Sequence, residues 1–320
     1  MAFLLLSITV FYHSFLKRIK LVHALNMKRL IILLLPLLLV GCTSEDYSYV
    51  VKPVDNETHY DDVYLIMGQS NATGVAKWRF LEEKAPDVYS KYVSSNPNVL
   101  ISYDVDEHIN NHFLPTKFGF GNNESFFGPE IGIAETLSTY EEQSYIVKTT
   151  YSGSCLQKEY IDKDGKKYEL YNRFVPFILN QLEYLRESGK NPRVRGLFWM
   201  QGESDSVNYL NKTYGKALKQ FVNNIRKDLN EYVYGYMNFV DAEISTKSMY
   251  WVHSTQINNA KNQFAKTNEH NYCIKTNGED NNSLDLNLKT TSGEDPNDDA
   301  HYDSLSMLEL GKKAGEYLTK

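Results

Sequence analysis

Five short apolar runs occur along the chain from residue 61 onward, each bounded by polar or turn-forming residues. Short continuous apolar runs rich in β-branched and aromatic side chains are typical of strands that are buried on both faces. The pattern therefore predicts five strands, at residues 63–67, 145–149, 194–200, 236–240 and 272–275.

Segments with helical spacing of apolar residues separate these runs. Clear stripes lie at residues 174–185 and 214–229, and weaker patterns occupy residues 129–137, 252–265 and 304–318. Strands that alternate with helices favour parallel pairing. We therefore expect an α/β fold with three layers, α/β/α, around a five-stranded, mainly parallel sheet. Residues 90–125 lack clear periodicity and are predicted to form a long loop over the strand ends, where such sheets bind their ligands.

The N-terminal region has the features of a targeting sequence. Residues 27–41, "MKRLIILLLPLLLVG", have a basic start and a short apolar core, and they end before Cys42 like a bacterial lipoprotein signal peptide. Lipidation of Cys42 would anchor the protein to a membrane of the bacterial cell envelope, facing the periplasm or the cell surface. An ordinary secretory signal is the alternative.

The predicted organisation has four parts. Residues 1–26 form a mis-assigned upstream start with Met27 as the initiator, or else an N-terminal membrane helix. Residues 27–41 form the signal peptide, and residues 42–60 form a polar tether that carries the lipid. Residues 61–320 form one domain, without an internal repeat.

The amino-acid composition is consistent with this predicted fold and organisation and does not by itself indicate a function. The content of 42% hydrophobic and 23% charged residues is ordinary for a globular protein, and the net charge of -6 gives no basic surface for nucleic acid. Beside Cys42 there are two cysteines, Cys155 and Cys273, which could pair or remain as thiols. The sequence leaves the oligomeric state open.

Candidate chemistry begins at the end of the first predicted strand, in "YLIMGQSNATG". Ser70 lies just past the strand end, with Gly68 two residues earlier to allow a tight turn. Its hydroxyl is a candidate nucleophile, and its backbone N–H is a candidate donor to an oxyanion. Taken alone, a serine at this point is as well explained by helix capping.

A base for Ser70 is found near the C-terminus. Asp298 and His301 are three residues apart in a predicted loop, so that the carboxylate can hold one imidazole nitrogen and fix its tautomer. Asp299 is a second candidate for that part. An acidic, solvated loop would also explain the pattern.

Two further strand ends supply polar groups. Gly153, in "TTYSGSC", could offer an unobstructed backbone N–H, and the side-chain amide of Gln201, in "WMQGESD", could be a second donor. Glu203 could brace that loop. Each group has an ordinary structural explanation by itself, but three strand ends and one Asp-x-x-His are predicted to converge on one face.

These motifs resemble the sialate O-acetylesterase-like branch of the SGNH (GDSL-type) hydrolases, which includes the acetylxylan esterases of carbohydrate esterase family six. The matching blocks are "YLIMGQSNATG", "FFGPEIGIA", "YSGSC", "LFWMQGESD" and "DDAHYDSLSMLELG", in family order over residues 61–318. The chain departs from the family pattern at Met200, at Ala72 and at Ser154-Cys155, which bears on substrate preference more than on catalysis.

The resemblance implies a flavodoxin-like fold and a serine esterase that removes O-acetyl groups from carbohydrates without a metal or other cofactor. By position, Ser70 is the nucleophile, His301 the base and Asp298 its orienting acid. Ser70 N–H, Gly153 N–H and Gln201 are the oxyanion donors. Gln69, Asn71 and Glu203 are supporting residues.

Three other functional classes fit the sequence less well. The Gly-x-Ser-x-Ala sequence around Ser70 nearly matches the nucleophile elbow of α/β-hydrolases, but there the serine lies in mid-domain. "EHINNH" lacks the glutamate of a zinc-protease helix, and "DPNDDA" lacks the glycine of a calcium loop. An inactive surface protein that binds carbohydrate through the same fold is the alternative from another class.

Overall fold

The computed structural model describes residues 52–320. The predictions for residues 1–51, among them the signal peptide and lipidation of Cys42, lie outside the described residues. Within the described part, no helix combines the length and the apolar character that crossing a membrane requires.

A seven-stranded sheet forms the centre of the domain, with the strands in the order β4-β3-β6-β1-β7-β8-β9. All neighbours run parallel except β3 and β4, which form an antiparallel pair at one edge. The strands are β1 (Asp61–Gly68), β2 (Ala76–Lys77), β3 (Asn96–Val105), β4 (His108–Thr116), β5 (Phe126–Phe127), β6 (Ser144–Thr150), β7 (Pro192–Met200), β8 (Asn238–Ala242) and β9 (Asn271–Ile274). The short strands β2 and β5 pair separately.

The sheet corrects two predictions, because it has seven strands rather than five and residues 90–125 are not one long loop. Strands β3 and β4 lie within that segment. Most side chains of β4 are exposed or half-exposed, and Pro115 lies within it. A polar strand with a proline is typical of a sheet edge, so it lacks the apolar run that marks a buried strand. The five predicted strands are all present, with β8 displaced by two residues toward the C-terminus.

Helices cover both faces of the sheet. In chain order they are α1 (Ser70–Thr73), α2 (Trp78–Lys84), α3 (Pro86–Tyr92), α4 (Glu130–Leu137), α5 (Glu169–Glu187), α6 (Glu203–Val207), α7 (Tyr214–Asp228), α8 (Ser254–Ala265), α9 (Lys289–Ser292) and α10 (Ser304–Leu318). Helices α4 and α10 pack against each other on one face, and α5, α7 and α8 cover the other. A π-helical turn at Leu156–Tyr160 and a 3-10 turn at Asn230–Tyr232 complete the set.

The described part of the predicted tether, residues 52–60, contacts the domain. Lys52 forms a bridge with Tyr234 and accepts a hydrogen bond from the Gly235 N–H. The Tyr60 ring is buried, with its centroid 4.8 Å from that of Tyr234. Residues 52–60 are therefore attached to the domain both at Lys52 and at Tyr60.

The strand register brings three of the sequence blocks side by side. Gly68, the last residue of β1, pairs with Thr150 at the end of β6 on one side and with Met200 at the end of β7 on the other. The segments that begin with Gln69, Tyr151 and Gln201 consequently leave the sheet at the same edge. Any chemistry shared by these blocks is located there.

Candidate active site

The turn that carries Ser70 depends on Gly68. The φ angle of Gly68 is +144°, and a Cβ there would lie 2.0 Å from the Met200 carbonyl oxygen. The next residue, Gln69, donates its backbone N–H to that same oxygen at 3.0 Å. The chain thus turns sharply against β7, and α1 begins at Ser70 directly above the strand end. The serine side chain is mostly buried, with 8% of its residue surface exposed at the sheet edge.

Asp298 and His301 are in direct contact, as the sequence predicts. The Nδ1 atom of His301 lies 2.8 Å from Oδ1 and 3.0 Å from Oδ2 of Asp298. Burial alone would raise the pKa of Asp298, but the hydrogen bond with His301 and the ammonium of Lys289 outweigh it and hold that pKa well below its usual range. The carboxylate is then an acceptor only, so Nδ1 of His301 carries the hydrogen of this bond, and Nε2 is the ring nitrogen left for proton transfer.

Asp299 does not compete for the histidine. Its Oδ2 accepts the backbone N–H of Met249 at 2.8 Å, and its Oδ1 accepts the Thr290 hydroxyl at 3.1 Å. Of the two candidate acids, the structure therefore places Asp298 beside His301.

Asn71 connects the serine turn to the histidine loop. Its Oδ1 accepts the backbone N–H of Tyr302 at 3.2 Å, and its Nδ2 donates to Oε1 of Glu203 at 2.9 Å. Tyr302 follows His301, and Glu203 lies two residues after Gln201. One buried amide thus holds the residue after Ser70, the residue after His301 and the loop after β7 together.

Gly153 presents a free backbone donor at the neighbouring strand end. Its φ angle is +73°, and a Cβ built on it would meet no atom within 4 Å. Ser152 is fixed beside it, because Asp106 accepts both its N–H and its hydroxyl. Within residues 52–320, the Gly153 N–H has no acceptor, and neither has the Ser70 N–H at the start of α1. Both groups are available to an oxyanion.

The Gln201 amide makes several hydrogen bonds within the protein. It is fully buried, and its Nε2 lies 2.7 Å from Asp205 Oδ2, 3.0 Å from the Ser154 carbonyl oxygen and 3.2 Å from Gln69 Oε1. The two hydrogens of the amide are occupied by these acceptors. In this structure Gln201 holds the glycine turn in place, and its part as an oxyanion donor stays a prediction that requires one of these bonds to open.

The sequence patterns did not indicate two residues that hydrogen-bond to proposed site residues, Asp205 and Lys289. Asp205 is fully buried and accepts hydrogen bonds from Gln201, from the Leu156 N–H and from the Gln157 amide. Its position in "QGESD" was a signal that could have indicated it. Lys289 lies 3.0 Å from Asp298 Oδ2 with an almost fully buried side chain, and no sequence pattern marks it.

Within residues 52–320, Cys155 and Cys273 are both free thiols. Burial raises the pKa of the Cys155 thiol to about 12 and that of Cys273 well above its ordinary value. Neither is a thiolate at neutral pH, so neither is a rival nucleophile to Ser70.

Comparison with known proteins agrees with this geometry. A family model described as carbohydrate esterase, sialic acid-specific acetylesterase matches residues 60–320. The chain belongs to this family. It is accordingly a carboxylic-ester hydrolase that acts on acetylated carbohydrate, and the inactive binding protein is not favoured.

Solved structures with the same fold share little sequence with this esterase. A protein from Arabidopsis thaliana is 17% identical with a TM-score of 0.58, over 82% of this chain and 99% of its own. NanS is 14% identical with a TM-score of 0.58, over 84% and 98%. A carbohydrate acetylesterase from Xanthomonas citri, XAC1771, is 14% identical with a TM-score of 0.50, over 80% and 54%. No curated protein sequence matches the chain.

Proposed function

We propose that the esterase releases acetate from O-acetylated sugars through a covalent acetyl-serine, with Ser70 as the nucleophile and the His301–Asp298 pair as its base. The observation that carries the proposal is the Asn71 link, which holds the residue after the serine to the residue after the histidine. It supports a working arrangement in which residues far apart in sequence act on one ester.

In the first half of the reaction, the Ser70 oxygen bonds to the acetyl carbonyl carbon while its proton passes to Nε2 of His301. The negative charge that forms on the carbonyl oxygen is stabilised by the free N–H groups of Ser70 and Gly153. The C–O bond to the sugar then breaks, and the imidazolium returns the proton to the leaving alkoxide. In the second half, a water oxygen bonds to the carbonyl carbon of the acetyl-serine while its proton passes to His301. The C–O bond to Ser70 then breaks, the imidazolium returns the proton to the Ser70 oxygen, and acetate is released.

Acetate release by the purified protein tests the proposal. We expect turnover of acetylated xylo-oligosaccharide or O-acetyl sialic acid by wild type, and a loss of about 10⁴-fold or more in Ser70→Ala. Ser188→Ala is the matched control, because Ser188 is an exposed serine that caps the end of α5. Equal activity of Ser70→Ala and wild type would refute the assignment of the nucleophile.

We also propose that the protein is held at a bacterial membrane by a lipid on Cys42, facing the periplasm or the cell surface. The signal-like residues 27–41 support this proposal. Replacing Cys42 by alanine should move the protein from the membrane fraction to the soluble fraction of cells. Unchanged membrane association of Cys42→Ala would contradict it.

A further inference from the structure

An exposed apolar rim lies next to the proposed catalytic residues, on the side of β7 and β8. We define the rim as Tyr209, Met249, Tyr250 and Val252. Their exposed fractions are 74%, 77%, 49% and 62%, respectively. Large apolar side chains with this degree of exposure, grouped in two neighbouring loops, indicate a binding surface.

Hydrogen bonds fix the rim to the catalytic machinery. The Met249 N–H donates to Asp299, the residue after Asp298, at 2.8 Å. The other loop begins at α6, which follows Gln201, and it meets the first through the His253 N–H, which donates to Ser206 Oγ at 2.8 Å. The Tyr209 and His253 rings are also in contact, with centroids 5.2 Å apart. The two rim loops are therefore joined to each other and to the segment that carries Asp298 and His301.

Tyr209 occupies a position that suits glycine. Its φ angle is +58°, in the left-handed region. Leu210 N–H donates to the Asp205 carbonyl at 3.0 Å, which is the bond that closes a helix end with a left-handed residue after the cap. Glycine is preferred there, because a Cβ disfavours this conformation. A tyrosine at such a point has a local conformational cost, and its mostly exposed ring contacts His253 rather than the hydrophobic core.

We propose that the rim binds a sugar ring of the acetylated glycan, with the apolar C–H face of the pyranose against Tyr209 and Tyr250. This deepens the proposed function and rests on it. An acetyl group offers only two carbons, so most of the binding free energy must come from the alcohol part of the ester. The four rim side chains are themselves uncharged, which fits the C–H face of a sugar ring, whereas the nearest cations in sequence, Lys212 and Lys247, flank the two loops and Lys158 Nζ lies 2.6 Å from Asn208 Oδ1.

The test uses Tyr209→Gly, because glycine suits the backbone and removes only the ring. We expect a melting temperature equal to or above that of wild type, and a KM for the acetylated oligosaccharide that rises roughly 5- to 10-fold. The kcat/KM for p-nitrophenyl acetate, which carries no sugar, should be unchanged. Tyr209→Phe should keep the wild-type KM.

Tyr140→Ala is the matched control, because Tyr140 is a 49% exposed tyrosine in the loop before β6, at the opposite end of the sheet. It should alter neither the KM for the acetylated oligosaccharide nor the kcat/KM for p-nitrophenyl acetate. An unchanged glycan KM in Tyr209→Gly would overturn the proposal. A dimeric wild type and a monomeric Tyr209→Gly with the same KM would also overturn it, because the rim would then join two copies of the chain. If wild type releases acetate from no glycan, the proposed function itself fails, which is a separate result.

Discussion

Lys148 forms a buried ion pair whose removal should weaken the fold and disturb the serine helix. Its Nζ lies 2.7 Å from Glu130 Oε2, 2.7 Å from the Thr73 carbonyl oxygen and 2.8 Å from that of Phe120, and neither charged side chain is exposed. Thr73 is the last residue of α1, which begins with Ser70. The substitution Lys148→Met keeps the length of the side chain and removes all three bonds.

The expected loss of stability is large because a charge is left behind. Breaking a buried pair on one side costs about 3–5 kcal/mol, since the remaining Glu130 carboxylate loses its cation and keeps only the hydrogen bond from the Gly128 N–H. That is a substantial part of the roughly 5–15 kcal/mol by which domains are stable. The double variant Lys148→Met/Glu130→Gln removes the stranded charge and should recover part of the loss, although the Thr73 and Phe120 carbonyls stay unpaired.

Urea unfolding at pH 7, followed by tryptophan fluorescence, measures these differences. Lys313→Met is the control, because Lys313 pairs with Glu316 on the surface of α10 at 2.8 Å, where such pairs contribute at most about 1 kcal/mol. The reasoning is wrong if Lys148→Met lies within about 1 kcal/mol of wild type, or if the double variant is less stable than the single one.

Three further substitutions test the site. In Lys289→Met the cation that helps to hold down the pKa of Asp298 is lost, so that pKa should be less depressed and the protein should lose stability at a higher pH on acidification; Lys289→Arg should keep the wild-type profile of unfolding free energy against pH, and an unchanged profile in Lys289→Met would contradict this. Because the pKa of Asp298 is depressed in the fold, this carboxylate stabilises the protein above its ordinary pKa, and the stabilisation is lost as the pH falls further. Asp298→Asn should therefore be less stable than wild type at pH 7, and a gap in unfolding free energy that does not narrow below about pH 4 would contradict this. Gly68→Ala should cost more than about 2 kcal/mol and most of the acetate release, because its Cβ would meet the Met200 oxygen; a wild-type melting curve would refute it.

The strands that could be predicted are those buried on both faces. In β1, the side chains of residues 65–67 are fully buried on both faces of the sheet. Successive residues are therefore apolar, which gives a continuous apolar run. Most side chains of the edge strand β4 are exposed or half-exposed, so they need not be apolar, and its sequence "HINNHFLPT" is mostly polar. Its pairing with β3 is set by tertiary context, which hydrophobic periodicity does not report.

The candidate site was predictable where its residues are close in sequence or stand at strand ends. Asp298 and His301 are three residues apart, and their contact follows from local geometry. Lys289 reaches the same carboxylate from a separate short helix, and that approach depends on how the C-terminal loops fold back. The orientation of the Gln201 amide was likewise beyond prediction, because it depends on three acceptors from different parts of the chain.

The contact between Asn71 and Tyr302 joins positions 231 residues apart. In the proposed mechanism the serine is supplied by the first strand of the sheet and the base by the last loop before the final helix. A growing chain therefore carries a serine without its base until nearly all of its residues have been made and have folded into place. Under that proposal, a chain that ends before His301 carries the nucleophile but cannot hydrolyse an ester.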